Sequence, residues 1–246
     1  MTYSIQANTK LAEDQLKFYD KQLPFANALA LTRTAQRVEA RQRQEMERVF
    51  DRPTRFTLNS LRVIPAKKRQ EVQFSKVDFK NENPKGIPPT EYLKAQVRGG
   101  QRNDKRSERW LKFNNKIGTA GAIAPASGLK LNKFGNVTRG RMTKILSNLN
   151  AHFDKQQNTT DNAKRVYFVA TIKGTKAIWQ RYGRKGRKIK PVFLILDRKP
   201  VYRRRLDFYG LSERHSKRMY PVEFQIAWRQ AVNTARPPTQ LSRVRA

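Results

Sequence analysis

The two histidines, His152 and His215, are the natural starting points in a search for catalytic chemistry. They lie far apart in the chain, and neither has a carboxylate or a second histidine at a metal-ligand spacing such as HExxH. No GxxxxGK[ST], GxGxxG or GxSxG sequence occurs, and acidic residues are too scarce to supply a two-metal centre. The chain has no cysteine, which excludes disulfides and thiolate metal sites. We therefore expect no catalytic residue, no metal site and no cofactor.

Lysine and arginine are the residues whose abundance does indicate a chemistry. The 246 residues include 53 Lys and Arg against 19 Asp and Glu, a formal net charge of +34. Residues 164–205 alone hold 15 basic side chains and one acidic side chain, Asp197. So dense a field attracts polyanions, of which the nucleic-acid phosphate backbone is the commonest. The candidate DNA-facing basic residues are Arg181, Arg184, Lys185, Arg187, Lys188, Lys190, Arg203, Arg204 and Arg205.

Aromatic side chains such as Trp179, Tyr182 and Phe193 are interleaved with these cations, and two roles are open to them. Aromatic rings beside Arg and Lys stack on bases in proteins that bind single strands. Rings spaced along short strands also form the core of a small sheet. Zinc-knuckle, RNP-like and KH-type sequences are absent. We favour the core role for the rings, and phosphate contact without base reading for the cations.

One long helix is predicted from Pro24 to about Phe50. Small and apolar residues repeat at helical spacing in its first half, whereas residues 39–48 are polar almost all round. Proline is common in the first turn of a helix, as Pro24 would be, and the sequence at residues 51–53 is expected to end the helix. Such a helix either docks its apolar end on another molecule or lies on the surface of its own domain. If it docks, the candidate contacts with a neighbouring subunit are Phe25, Leu29 and Val38.

A β-hairpin is predicted after this helix. Phe56, Leu58, Leu61 and Val63 alternate as in a strand with one irregularity, and a similar pattern returns at residues 72–79. The basic turn at residues 66–69 would join the two strands. Residues 90–97 are predicted to form either a further strand or a short helix.

The rest of the chain divides into a middle segment and a C-terminal unit. In the middle, helices are predicted at 107–113 and 139–153, and the small-residue sequence at 120–127 is predicted to be a loop. The C-terminal predictions are strands at 166–172 and 189–196, either a strand or a single turn at 177–182, and helices at 211–219 and 222–234. Phe224, Trp228 and Val232 are spaced four apart on the last helix, so we expect them to face the small sheet.

These elements predict an α+β fold with a long N-terminal helix, an extended β-hairpin arm and a small, mostly antiparallel sheet packed by C-terminal helices. The predicted domains are an N-terminal helical arm at 1–52, a β-hairpin region at 53–97, an irregular or helical linker region at 98–163 and a basic C-terminal α+β unit at 164–246. The longest apolar run, Val192–Leu196, is far shorter than the roughly 20 residues of a membrane span. The first residues lack the apolar stretch of a secretory signal. We expect a soluble chain made inside a cell.

Two stretches of the sequence resemble a known family. They are LPFANALALTRTAQRVEARQRQEMERVFDRPTRFTLNSLRVIPAKK and KAIWQRYGRKGRKIKPVFLILDRKPVYRRRLDFYGLSERHSKRMYPVEFQIAWRQAV. Both look like the minor tail and tail-completion proteins of tailed bacteriophages, of the lambda-type minor tail protein Z kind. In that family a small-residue helix near the start runs into a basic β-region. A strand that ends like Ile178–Gly183 then leads to a basic loop, a buried strand and a Phe-containing terminal helix.

The resemblance implies a structural virion protein at the neck or tail end of a tailed phage, made in the host cytoplasm. The implied partners are further copies of the chain in a ring, neighbouring tail or neck proteins such as the tape-measure protein, and packaged DNA, with no membrane. A ribosomal-type basic RNA-binding protein is the alternative, because basic arms and small α+β cores are equally typical of that class. Residues 1–60, with 10 basic and 7 acidic side chains, favour the phage interpretation, since an arm buried in RNA should be basic.

Overall fold

The computed structural model describes residues 9–82, 86–161 and 165–235. The fold is α+β, with a long N-terminal helix, small antiparallel sheets and a C-terminal helix, which confirms the predicted class.

The chain forms two compact units, each assembled from separate stretches of sequence. The helical unit comprises the described residues of Met1–Val49, Arg55–Asn83 and Asp207–Ala246, and the sheet unit comprises those of Phe50–Thr54 and Pro84–Leu206. These units cut across the four predicted segments. Residues 236–246, the end of the predicted C-terminal unit, lie outside the described residues.

The first element of the helical unit is α1, which runs from Thr9 to Val49. Its start was predicted at Pro24, but the helix begins several turns earlier and Pro24 lies inside it. Proline lacks the N–H that would donate to the carbonyl four residues back. Residues 10–23 are rich in Leu, Lys and Gln, which have high helix propensity, so the helix continues through the missing hydrogen bond.

The polar second half of α1 is packed within its own unit. Gln42, Glu45 and Met46 are all buried. The Gln42 amide donates to the Phe208 carbonyl oxygen at 2.7 Å and to the Ser212 hydroxyl at 2.8 Å. The polar appearance of this half in the sequence therefore does not make it a projecting arm, because the Gln42 amide nitrogen and the Glu45 carboxylate have hydrogen-bond partners within the unit, although the Gln42 side-chain oxygen has none among the described residues.

The last element of the helical unit is α7, Phe208–Thr234, one helix with Pro221 inside it where two helices were predicted. Glu223, Ala227 and Ala231 form its buried stripe. This stripe packs on α1. The prediction that the last helix faces the small sheet is therefore wrong, since its partner is the other helix of the helical unit.

The two helices run antiparallel. Tyr19 near the start of α1 contacts Trp228 near the end of α7, with ring centroids 5.8 Å apart. Further along α1, the Tyr220 hydroxyl donates to the Asn27 side-chain oxygen at 2.6 Å. The Gln42 contact with Phe208 follows the same order: as the residue number increases along α1, the residue number of its partner on α7 decreases.

A short β-hairpin completes the helical unit. Strands β1, Leu61–Ile64, and β2, Lys76–Phe79, pair antiparallel, which confirms the predicted hairpin over these residues. The expected strand start at Phe56 is wrong, because Arg55–Leu58 forms a short helix, α2. The hairpin lies against α1, where the Thr32 hydroxyl accepts from the Ala66 N–H at 3.1 Å.

The sheet unit contains four helices and six strands within its described residues. Its elements are α3 (Pro89–Tyr92), α4 (Lys94–Arg98), β3 (Gly100–Gln101), α5 (Arg106–Phe113), β4 (Ala122–Pro125), α6 (Arg139–Asn148), β5 (Tyr167–Ile172), β6 (Thr175–Tyr182), β7 (Lys188–Leu196) and β8 (Val201–Tyr202). Residues 90–97 are thus mostly helical. The strands predicted at 166–172 and 189–196 are confirmed with small changes of boundary, and residues 177–182 form a strand and not a single turn.

Four of these strands form one antiparallel sheet in the order β4-β7-β6-β5. The predicted loop at 120–127 is wrong, because Ala122–Pro125 pairs with Leu196–Phe193 as the edge strand β4. Small residues suit this edge: a Cβ on Gly121 would lie 2.9 Å from the Leu196 carbonyl oxygen. The predicted linker region thus supplies part of the main sheet.

The core of the sheet unit lies between this sheet and α5 and α6. Leu111 of α5 and Ile145 of α6 are fully buried, as are Ile178 and Val192 in the central strands. Within the helix predicted at 139–153, the apolar residues Ile145, Leu146 and Leu149 are all buried. Phe153 is half exposed, since α6 ends at Asn148.

Candidate nucleic-acid interface

The β6–β7 turn presents the densest group of predicted DNA-facing residues. Arg184, Lys185, Arg187 and Lys188 are all exposed there, and we call them the tip cluster. The turn between the strands is a single 3-10 turn at Arg184–Gly186. Gly183 and Gly186 have φ of 78° and 67°, which glycine adopts without steric cost. A tight turn with two glycines thus brings four cations close together.

Two further predicted residues, Arg181 and Lys190, lie on the strands next to the tip cluster. The Arg181 guanidinium lies over the Phe168 ring at 4.5 Å, and the Lys190 ammonium over the Tyr182 ring at 5.3 Å. Rings beneath these cations hold their aliphatic stems in place while the charge stays accessible to solvent. Tyr182 is exposed, so the aromatic rings that are interleaved with cations in the sequence do not all belong to the core.

The remaining predicted residues, Arg203, Arg204 and Arg205, belong to a different part of the sheet unit. They follow β8, which pairs with β3 and not with the four-stranded sheet. The Gln96 carbonyl oxygen of α4 accepts from the Arg205 N–H at 2.9 Å. Strand β7 leads away from the tip cluster over its whole length, roughly 26 Å, before this segment begins. The two groups of predicted basic residues therefore belong to different sheets of the sheet unit.

A cleft at the tip-cluster end of the sheet brings together cations that sequence reasoning missed. Lys116 and Arg165 line it together with Arg181, and its volume is about 490 Å³. Asn148, Asn150 and Phe168 contribute further to the wall. We call this the basic cleft. It lies at this end of the sheet because Tyr167 at the start of β5 pairs with Gln180 near the end of β6.

Two helix ends position the cleft residues by the same capping geometry. After α6, Asn150 has φ of 53°, and the N–H of Ala151 donates to the Leu146 carbonyl oxygen. After α5, Asn115 has φ of 54°, and the N–H of Lys116 donates to the Leu111 carbonyl oxygen. Asparagine tolerates this left-handed conformation at the residue after a helix. The Asn residues that follow α5 and α6 were the available sequence signal for these turns.

Asn148 anchors the start of β5 beside the cleft. Its side-chain oxygen accepts from the N–H groups of Val166 and Tyr167, at 2.7 and 3.2 Å. Its amide nitrogen donates to the Thr159 hydroxyl at 3.0 Å. Arg165 also donates to Thr159, through two contacts with its carbonyl oxygen. The Arg165 side chain is therefore held by neutral oxygens and retains an uncompensated positive charge.

Two acidic residues of the sheet unit are engaged in ion pairs with structural cations. Glu108 is fully buried, and Arg102 donates to both of its oxygens at 2.6 Å. The Asp104 carboxylate accepts from Lys112 and Lys199 at 2.9 and 3.0 Å. Burial raises the pKa of Glu108, but hydrogen bonds from Arg102 and from two backbone N–H groups outweigh it and hold that pKa below its ordinary value. These carboxylates neutralise cations away from the tip cluster and the cleft, which stay positive.

The predicted docking residues on α1 have different environments. Phe25 is 37% exposed and Leu29 is half-buried, so both retain accessible apolar surface. Val38 is 4% exposed because α1 packs within its own unit there. Val38 is therefore not available for contact with a neighbouring subunit. The most exposed large apolar residue on α1 with a described side chain is Leu16, at 64%.

Comparisons with protein-family models, with curated proteins and with solved structures find no match to this chain. Among the described residues, no three His, Asp or Glu side chains are close enough together to hold a metal ion. None of the described helices combines the length and apolar character that crossing a membrane requires.

Proposed function

We propose that the protein is a structural component of a tailed-phage particle, at the neck or tail end, that contacts DNA through the basic surface of its sheet unit. It completes the tail or the head–tail connection as one of several copies. The other expected partners are neighbouring tail proteins, including the tape-measure protein. The family resemblance of the sequence supports this role, and so does one structural observation, the separation of charge between the two units.

The two units differ sharply in charge. The complete sequence stretches of the sheet unit, 50–54 and 84–206, hold 31 of the 53 Lys and Arg residues but only 7 of the 19 Asp and Glu residues, a net formal charge of +24. The stretches of the helical unit, 1–49, 55–83 and 207–246, hold 22 and 12 respectively, a net of +10. A chain that served only to bind nucleic acid would gain from cations throughout. The separation suits a protein that binds a polyanion with one unit and other proteins with the other.

Exposed apolar side chains on the helical unit support a protein-binding role. Leu16, Tyr19 and Leu23 lie three and four residues apart on α1, so they share one face of the helix. They are 64%, 42% and 47% exposed, and Tyr19 is the least exposed of them because its ring contacts Trp228 of α7. A stripe of this kind is typical of a helix that packs on a partner. Phe25 extends the same end of the helix, as the sequence predicted for docking.

The tip cluster supports DNA contact without sequence reading. Its four cations lie in and next to the narrow turn that joins the paired strands β6 and β7, and Arg and Lys side chains on such a turn reach phosphate oxygens. Exposed Lys and Arg side chains bind phosphates through charge, and the bound strand releases counterions. The expected binding is therefore independent of sequence and steeply dependent on salt.

Sedimentation of the native protein from a nuclease-treated lysate of infected cells tests the proposed role. Co-sedimentation with tailed particles that persists in high salt is the expected result. Release from the particles by salt, or sedimentation with ribosomes, would overturn the phage assignment. The second of these results would support the alternative, an RNA-binding protein of ribosomal type, for which the basic sheet unit is equally suitable.

A charge-matched pair of variants tests the DNA contact itself. Replacing the four tip-cluster residues by Gln should weaken duplex binding and lower the slope of log K against log salt by about 3–4, since each phosphate that is no longer neutralised accounts for about 0.9. The control replaces four exposed lysines elsewhere in the sheet unit, Lys94, Lys130, Lys144 and Lys155, by Gln. An equal decrease of the slope in both variants would show that binding depends on net charge alone. The tip cluster would then not be the DNA contact.

A further inference from the structure

We infer that the basic cleft binds the terminal phosphate group of a nucleic-acid strand. The inference rests on the proposed DNA contact of the sheet unit, but it concerns Lys116 and Arg165, which the tip cluster does not include. The three cations Lys116, Arg165 and Arg181 meet in one concave site of about 490 Å³. That volume lies within the range of roughly 300–1,000 Å³ that small-molecule sites occupy.

The charge of the cleft selects an anion. Its described lining residues include three cations and no Asp or Glu. Within the described part of the chain, Lys116 has no ion-pair partner, and Arg165 donates only to neutral oxygens of Thr159 and Asn150. Three cations that converge without a carboxylate repel one another, so an anion placed among them lowers the energy of the site.

The C-terminal end of α6 brings one opposing charge to the cleft. Asn148, the last residue of α6, is part of the cleft wall, and a helix C-terminus carries about half a negative charge. Backbone N–H groups already bind the last carbonyl oxygens of α6, since the residues from Leu149 to Ala151 donate to them. Three full positive charges outweigh this partial charge, so the cleft remains a site for anions.

The shape of the cleft favours a strand end over a continuous duplex backbone. Leu149, Phe168 and Val169 complete the concave wall around the cations. A phosphate within a duplex is flanked by sugars and by the opposite strand, which a cleft of this volume does not admit. A terminal phosphate has one free side and carries about −1.5 to −2 charges at neutral pH, whereas an internal phosphate carries a single charge. Three cations therefore bind the terminal group more strongly.

The test compares two short single-stranded oligonucleotides of identical sequence, one with a 5′-phosphate and one without, against the full-length protein. Both share the same backbone, so contacts with the tip cluster cancel in the ratio of their affinities. We expect the phosphorylated strand to bind about tenfold more tightly at a fixed moderate salt concentration. We expect this ratio to fall in Lys116→Gln, which leaves two cations in the cleft, and to fall further towards one in Lys116→Glu.

The control variants are Lys130→Gln and Lys130→Glu, which change the same charge at an exposed position of the sheet unit outside the cleft. They should keep the tenfold ratio. A ratio near one in the wild-type protein, or a ratio unchanged by the Lys116 variants, would overturn the inference. Thermal unfolding of each variant checks that the fold is retained, and Lys116 is half-buried after a helix end, where Gln keeps most of the stem.

A second measurement separates the strand end from free phosphate and from the wider proposal. Inorganic phosphate should shift the amide NMR signals of Asn150 and Phe168, and the phosphorylated oligonucleotide should displace it. Phosphate that the oligonucleotide does not displace would assign the cleft to a free anion and overturn the inference. If the ratio is one while the tip-cluster variants still lose duplex binding, the inference fails and the proposed function stands. If the wild-type protein also fails to bind duplex DNA, both the inference and the proposed DNA contact fail.

Discussion

Glu108 is a buried side chain that connects several segments of the sheet unit. Its carboxylate accepts from Arg102 through both oxygens and from the N–H groups of Lys105 and Ile123, at 2.8 and 3.0 Å. It thereby joins the start of α5, the preceding loop and the edge strand β4. A fully buried carboxylate is tolerated only when its oxygens are satisfied in this way.

Replacing Glu108 by Gln should destabilise the protein by about 3–5 kcal/mol, because the mostly buried Arg102 guanidinium would keep its charge without a carboxylate partner. Chemical denaturation followed by circular dichroism measures the change. The control is Glu213→Gln, which removes an exposed carboxylate paired with Lys217 and should leave the midpoint almost unchanged. Equal effects of the two variants would contradict the role assigned to Glu108.

The same carboxylate predicts a dependence of stability on pH. The folded-state pKa of Glu108 lies below its ordinary value, so its contribution is fully present above the unfolded-state pKa of about 4.3 and is lost as pH falls through the folded-state pKa. We expect the stability difference between wild type and Glu108→Gln to be constant near neutral pH and to shrink below about pH 4. Denaturation series at several pH values measure it, and a difference that grew on acidification would contradict the prediction.

Gly128 shows how closely the segment after β4 approaches the sheet. A Cβ at this position would lie 2.3 Å from the Pro191 carbonyl oxygen of β7, a distance that backbone atoms do not allow. Gly128→Ala should therefore destabilise the sheet unit by roughly 1–3 kcal/mol, as overpacking in a core does. Gly118→Ala is the control, since a Cβ there meets nothing within 4 Å. Thermal unfolding of the two variants would show a lower midpoint for the first alone.

At the scale of elements, the helical unit depends on small residues where α1 and α7 pack together. Ala26 and Ala30 are fully buried on α1, and Ala227 and Ala231 are buried on α7 at the same spacing of four residues. Small side chains at this spacing let two helices approach closely. The two helices come from opposite ends of the chain, so their packing joins segments that are separated in sequence by the whole sheet unit.

Ala30→Leu should disturb this packing. Three extra carbon atoms have no space in a fully buried position, so we expect a loss of about 1–3 kcal/mol. Ala40→Leu is the matched control, because Ala40 lies on the exposed side of the same helix and Leu has a helix propensity close to that of alanine. Denaturation by urea distinguishes the two variants, and similar midpoints would place the contact of α1 with α7 elsewhere.

At the scale of the whole molecule, charge governs how the protein meets its partners. A formal charge of +34 on 246 residues creates a strong positive field that salt screens. The larger share of this charge lies in the sheet unit, so the field is strongest around that part of the chain. Binding to a polyanion relieves the repulsion among these cations, as the proposed contact with DNA requires.

The molecule should therefore bind unrelated duplexes of equal length with equal affinity. That affinity should fall by about 10³ or more between roughly 50 and 200 mM salt, if six or more phosphates are contacted. Fluorescence anisotropy with two duplexes of different sequence measures both properties. A preference of more than tenfold for one duplex would contradict the proposed phosphate contact and would indicate base reading.

Local patterns in the sequence were sufficient to predict several secondary-structure elements. Short runs of apolar residues predict β5 and β7 and allow a strand at β6, and the tip cluster follows because its four cations lie close together in the sequence. The same reasoning failed for Ala122–Pro125, where small residues that resemble a loop form an edge strand. Their pairing depends on β7, which lies far along the chain, and not on their own propensity.

The type of most elements, the mixed α+β class, the excess of cations and the basic turn could all be derived from the residues alone. These properties arise from neighbouring residues, whose spacing and charge do not change on folding. The packing of α7 on α1, and with it the burial of Val38, became evident only in three dimensions. So did the meeting of Lys116, Arg165 and Arg181 in one cleft, apart from the arginines that follow β8. Those outcomes depend on contacts between segments distant in the chain, which no local spacing encodes.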